Sequence, residues 1–189
     1  MKKLRFLGVL MVFAALISGC FSGGGILSMP SFSFGAPSYA DANNYITLSV
    51  NDMRKDKNII GYVKNSEGSV DSKIKPNEPL ASWLRAGLVR ELGAKKINVV
   101  ANSDEAGANV IVNIREFYAN INGLGSNNMR GNFTLDITIK KGSNTTNKSL
   151  SQPMSDFAFM PSLSSLEPFA KTLLIDMLKR SANEIASGL

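Results

Sequence analysis

Hydrophobic and polar residues alternate along this chain with two periods, and each change of period marks an element. Tyr45 to Asn51 sets Ile46, Leu48 and Val50 on one side and Thr47 and Ser49 on the other, the period of a half-buried strand. Ile59 to Lys64 and Val70 to Ile74 are shorter strand candidates. Asn77-Glu78-Pro79 then opens a helix, with a capping-type asparagine and a proline in the first turn, where a missing N–H costs least. Leu80, Trp83, Leu84, Leu88 and Leu92 recur at helical spacing as one apolar stripe, and Gly93 supplies a left-handed stop. On that stripe Trp83 reads as a core anchor rather than a ligand platform.

Strand periodicity returns after the helix. Lys96 to Ala101 is short, and Ala108 to Ile121 is long. In the long strand Val110, Val112 and Ile114 are in phase, while Phe117, Ala119 and Ile121 fall on the opposite parity, which predicts a bulge that switches faces. Asn122 to Asn128 is turn chemistry throughout. Gly131 to Lys141 is the clearest strand, with Phe133, Leu135, Ile137 and Ile139 inward and Thr134, Asp136, Thr138 and Lys140 outward. Asn147 to Phe159 is the last strand. Ser164-Ser165-Leu166-Glu167 matches a capping box, with Pro168 in the first turn of a helix that buries Phe169, Ala170, Leu173, Leu174, Met177, Leu178 and Ile185. The order predicts one α+β domain over residues 45–189, a mainly antiparallel sheet with two amphipathic helices packed on one face.

The N-terminus follows different rules. Met1 to Arg5 is cationic and Phe6 to Ile17 is almost purely apolar, the two parts of a secretory signal covering residues 1–19. The apolar run falls short of the roughly 20 residues a permanent membrane helix needs. Ile17-Ser18-Gly19-Cys20 resembles the lipobox of bacterial lipoproteins. The resemblance implies cleavage after Gly19, with a diacylglycerol thioether and an N-acyl chain on Cys20 as the only attached groups. Two or three acyl chains make attachment effectively permanent. Phe21, standing where an aspartate would favour retention at the inner membrane, implies the outer membrane, with the domain facing the periplasm.

Residues 20–44 are rich in Gly, Ser, Pro and Ala, with Asp41 as the only charge, and read as a flexible tether reaching roughly 25–30 Å. Phe21, Phe32, Phe34 and Tyr39 in this stretch are either tolerated there, or dip into the membrane interface or dock on a neighbour.

Composition then narrows the chemistry. The 189 residues include no histidine and one cysteine, which excludes an imidazole base, a His metal site, a disulfide framework and a Cys-cluster zinc site. The formal charge of +6 loses Lys2, Lys3 and Arg5 with the signal, leaving +3 spread along the chain without a basic-aromatic stripe, so nucleic acid is not an expected partner. Gly123-Leu124-Gly125-Ser126-Asn127 is neither a nucleophile elbow nor a phosphate loop. Asp104-Glu105 reads as solvated surface, and Asp52, Asp56 and Asp71 are scattered among cations. No catalytic, metal or cofactor residue is nominated. The expected contact surface is the outward sheet face carrying Asn113, Arg115, Thr134, Thr138 and Lys140, with a merely solvated face as its rival.

The order of features resembles the YajG family of bacterial lipoproteins. The residues that carry it are Cys20 after a signal, the strand ending in Asp52-Met53-Arg54, the Ile60-Gly61 step, the helix closing at Leu92-Gly93, and Ala108-Asn109-Val110 opening a long strand. The resemblance implies outer-membrane association and no established activity. The leucine-rich helix ahead of paired long strands is also similar to auxiliary lipoproteins of envelope transport systems such as PqiC, which implies a trafficking role by fold analogy alone. The expected function is therefore a non-enzymatic, membrane-anchored accessory protein that contacts an envelope protein. A carrier of lipid or small apolar ligands, or an auxiliary transport component, is the alternative, and a Ser- or Asp-based hydrolase comes third.

Overall fold

The computed structural model describes residues 24–32, 44–125 and 128–189. Among them are eight strands and two α-helices: β1 (Gly25–Leu27), β2 (Asn44–Asp52), β3 (Gly61–Lys64), β4 (Val70–Pro76), α1 (Leu80–Gly93), β5 (Ile97–Val99), β6 (Ala108–Asn122), β7 (Met129–Lys141), β8 (Asn144–Asp156) and α2 (Leu163–Gly188).

The long strand β6 is the spine of the sheet. One edge pairs antiparallel with β7, which pairs antiparallel with β8. Its other edge is shared. β2 runs parallel to residues 108–114, β3 runs parallel to residues 121–122, and the sheet forks there, β2 leading to β5 and β3 leading through β4 to β1. Four of the seven pairings among the described residues are parallel. The expected mainly antiparallel sheet is thus corrected to a mixed, forked one. Alternation along a strand reports which side is buried and says nothing of the neighbour's direction. The chain between β2 and β6, which includes α1, is long enough to serve as the crossover that parallel pairing requires.

The sheet register of β6 shifts between Ile114 and Glu116. The expected bulge is there, but its effect is the opposite of a change of face. The inserted Arg115 restores inward parity, so Val110, Val112, Ile114, Phe117, Ala119 and Ile121 all bury into one core. There Phe117 meets Phe133 edge-on, with ring centroids 4.9 Å apart.

α2 packs against β6, β7, β8 and α1, and α1 also covers β2 and β5. Trp83 is buried as expected, 1 % exposed. The helix ends differ from the sequence expectation. Pro79 stands at the N-cap of α1 without a side-chain cap, Ala94 ends that helix right-handed, and the left-handed residue is Lys96 at φ 61°. Ser162, two residues before the expected cap, accepts from the backbone N–H of Ser165 at 3.2 Å, which leaves Pro168 inside α2 rather than in its first turn.

The segment expected to be tether is in part bound to the domain. β1 pairs parallel with β4, Asn77 donates its N–H to the Leu27 carbonyl at 3.1 Å, and the Asn77 side chain accepts from Met29 N at 2.9 Å. The asparagine expected to cap α1 is spent on this tie. Trp83 Nε1 donates to the Pro30 carbonyl at 2.7 Å, and Phe32 stacks on the indole at 5.3 Å. Leu27 and Met29 are core residues. Composition pointed the other way because Gly, Ser and Pro dilute the pattern, yet three well-placed apolar side chains suffice to dock a short strand. Phe32 therefore docks on its own domain, while Phe21, Phe34 and Tyr39 lie outside the described residues. No helix among the described residues is long and apolar enough to cross a membrane.

Candidate functional site

The outward sheet face is a ladder of polar side chains in register across four strands. Asn51, Asn113, Asp136 and Ser149 form one rung over β2, β6, β7 and β8. Asn51 Nδ2 donates to Asn113 Oδ1 at 3.0 Å. Arg115, presented outward by the bulge, donates Nε–H to Asp136 Oδ2 at 2.5 Å. That hydrogen bond first, then one from Ser149, holds the Asp136 carboxyl below its ordinary value. On the next rungs Asn132 donates to Glu116 at 2.7 Å and Thr134 donates to Ser151 at 3.3 Å, while Thr138 donates to Asn147 at 2.8 Å. The five residues expected as a contact surface thus share one face: Asn113, Arg115, Thr134 and Thr138 are tied into the ladder, and Lys140 stands exposed beside them. A hydrogen-bonded face of donors and acceptors offers recognition geometry.

Beyond the ladder, β8 is tied to α2. Lys148 Nζ donates to Glu184 Oε2 at 2.8 Å, and this bond together with the Lys148 charge holds the Glu184 carboxyl below its ordinary value.

At the fork, the chain leaves β2 and crosses to β3 over residues 53–60. Arg54 makes this crossing possible. Its guanidinium pairs with Asp52 through Nε at 3.0 and 3.2 Å and Nη2 at 2.8 Å, and it donates Nη1 to the Ile59 carbonyl and Nη2 to the Lys57 carbonyl, each at 3.0 Å. Satisfying two carbonyls of an irregular crossing while its charge is matched is what permits a buried arginine. A hollow of about 870 Å³ opens beside this clasp, walled by Asn51, Asp52, Lys57, Lys75, Asn77 and Glu78 among others. Sequence reasoning placed Asp52-Met53-Arg54 at a strand end without giving it a role. An Asp-x-Arg directly after an apolar strand was the available signal.

Asn128 was also missed. Although flanked by turn residues, it is 4 % exposed, donates Nδ2–H to the carbonyls of Gly123 and Ala158 at 2.8 Å each, and accepts from Ala158 N at 2.8 Å. It thereby fastens the β6–β7 turn to the segment joining β8 to α2. Nothing in a run of Asn and Gly distinguishes a buried asparagine from an exposed one. Cys20 lies outside the described residues, and among the described residues no group of three His, Cys, Asp or Glu could hold a metal ion.

No curated protein sequence matches the chain. Among solved structures, protein XCC0632 of Xanthomonas campestris, matched to the DUF330 family, superposes with a TM-score of 0.59 at 12 % identity, covering 87 % of this chain and 97 % of that one. An uncharacterized protein superposes with a TM-score of 0.57 at 12 % identity, over 86 % and 98 %. Both likenesses concern the fold alone. The family model Lipoprotein_16, described as an uncharacterized lipoprotein, matches residues 37–185, nearly the whole domain. The chain belongs to that family, the YajG-type lipoproteins, which the order of its motifs implied.

Proposed function

We propose that this lipoprotein is fastened by acyl chains on Cys20 to the outer membrane, faces the periplasm, and acts without catalysis by binding another envelope protein through its outward sheet face. The observation that carries the anchoring is the position of Cys20, the only cysteine in the chain, directly behind a cationic and apolar leader and ahead of a lipoprotein-family domain. An unpaired thiol in an exported protein is a reactive liability unless it is modified. The outward face supports the contact part of the reading, because its hydrogen-bonded ladder presents Asn113, Arg115, Thr134 and Thr138 with less side-chain freedom left to lose on binding, beside the exposed Lys140.

Cys20→Ala is expected to abolish palmitate incorporation and to leave the protein unprocessed or released from membranes. Normal lipid labelling of that variant overturns the anchor. Cross-linking in native membranes followed by purification is expected to recover one stoichiometric envelope protein, and its loss on Arg115→Glu would place the contact on this face. Recovery of none overturns the contact reading.

A further inference from the structure

Five of the eight large hydrophobics exposed among the described residues stand at one end of the domain, while Ile26, Tyr45 and Met53 are scattered away from it. Of the five, Leu124, Phe157, Phe159 and Met160 are 67, 51, 82 and 70 % exposed. They stand on the β6–β7 turn and on the β8–α2 segment, the two loops that buried Asn128 locks together. Val70, 47 % exposed, opens β4 at the same end, since β4 runs antiparallel to β3 and β3 parallel to β6.

The N-terminal segment enters the domain from this end. β1 runs parallel to β4, away from the loops, and Gly25 is so near the start of α2 that a Cβ there would lie 3.0 Å from a Leu163 methyl, three residues after Met160. Only four residue steps separate Gly24 from Cys20, and a chain of that length spans at most about 14 Å when fully extended. An anchor at Cys20 therefore holds this end, and not the far end, against the leaflet. Isolated apolar side chains on a surface need no explanation, whereas two phenylalanines, a methionine and a leucine gathered beside an anchoring point do.

We infer that the loop end is a membrane-seating surface, with Phe157, Phe159, Met160 and Leu124 entering the interfacial layer of the leaflet that holds the acyl chains of Cys20. The inference rests on the anchoring reading above and adds an orientation to it. The charges at this end, Lys64, Glu67, Asp71, Arg130 and Asp156, are of mixed sign with no excess of cations, so insertion is apolar and does not require anionic lipid. Seating leaves the outward sheet face standing off the bilayer, open to a protein.

The test uses the full acylated chain in phosphatidylcholine vesicles. Phe159→Cys carries an environment-sensitive fluorophore, Leu124→Cys repeats the measurement on the other loop, and Thr145→Cys at the far end of β8 is the control. The Cys20 sulfur is blocked by its thioether, so only the introduced thiol is labelled. The expected result is blue-shifted emission at 159 and 124, quenched by spin-labelled lipid about threefold or more strongly than at 145. Equal quenching at both ends, with mass spectrometry showing diacylglycerol on Cys20, overturns the seating while the anchor stands. A blue shift at 159 without lipid quenching means that protein covers the loops, and also overturns it. Absence of diacylglycerol on Cys20 removes the anchoring reading and the seating with it.

Discussion

Arg54→Met tests whether the crossing between β2 and β3 depends on a buried ion pair. The side chains of Arg54 and Asp52 are 5 and 9 % exposed, and the guanidinium also serves the carbonyls of Lys57 and Ile59. Methionine keeps most of the aliphatic bulk but leaves the Asp52 carboxylate without its cation and both carbonyls without a donor. Orphaning one member of such a pair costs about 3–5 kcal/mol, a large part of the roughly 5–15 kcal/mol that holds a domain folded. At about 2–4 °C per kcal/mol for a chain of this size, the melting temperature falls by about 6–20 °C. Urea unfolding followed by circular dichroism on Arg54→Met, Asp52→Asn and the double variant separates the pair from its members. The double variant buries no lone charge, so it is expected to lose at least about 1 kcal/mol less than the sum of the singles. Strict additivity, or a loss under about 1 kcal/mol in Arg54→Met, refutes the reasoning.

Three further outcomes follow from the same geometry. A Cβ at Gly61 would lie 1.9 Å from the Ala119 carbonyl oxygen, so Gly61→Ala must part β3 from β6 and is expected to cost about 3 kcal/mol; an unchanged thermal melt contradicts this. Phe32→Ala removes the ring stacked on Trp83, costs about 1 kcal/mol and frees residues 24–32, read as red-shifted tryptophan emission and faster proteolysis ahead of β2; unchanged emission and cleavage argue against docking. Arg115 holds the Asp136 carboxyl below its ordinary value, so the stability from this pair is present above about pH 4 and is lost as pH falls through the lowered value. Arg115→Met is therefore expected to be less stable at neutral pH by about 0.2–1 kcal/mol, in keeping with a pair this exposed, and to converge on the parent as pH falls through the lowered value. A pH-independent difference between the two melting curves refutes the assignment.

What the sequence disclosed and what it withheld divide along physical lines. The two helices, the three long strands and the inward set Phe133, Leu135, Ile137 and Ile139 follow from periodicity, because one buried face imposes its repeat directly on the residues. Pairing direction has no such imprint. Ile46, Leu48 and Val50 alternate identically whether the neighbour runs parallel, as β6 does, or antiparallel. The break of parity at Arg115 was visible, but that one extra residue is taken up there against β7, so that the buried face is preserved, is a matter of pairing register. The docking of Leu27, Met29 and Phe32 was hidden because it needs partners fifty residues away, Asn77 and Trp83, whose spare hydrogen-bonding capacity is a tertiary property. Of the candidate surface, membership of one face was legible and the bonds that rigidify it were not. The register that sets Thr138 against Asn147, or Arg115 near Asp136, is fixed by the bulge and by the β7–β8 turn together.

Where apolar surface lies separates binding on a surface from carriage within. Between sheet and helices, Trp83, Leu84, Leu88, Phe133, Leu173 and Leu174 are no more than 1 % exposed. An acyl chain inserted there would have to displace side chains that each contribute about 1.5–3 kcal/mol by their burial. The open hollow lies elsewhere, at the fork, and its walls mix charged and amide side chains with Val50, Met53, Pro76, Pro79 and Ala81. Two of those walls are already engaged, Asp52 by Arg54 and Asn77 by Met29, so a ligand would compete with bonds that hold the crossing and the N-terminal segment in place. Apolar ligands are held in pockets lined mainly by hydrophobic side chains. In this domain five of the eight large hydrophobics left exposed among the described residues, Val70, Leu124, Phe157, Phe159 and Met160, stand at the loop end where β1 comes in, and Met53 alone of the eight lines the hollow, so the larger apolar surface is the one the proposed seating uses.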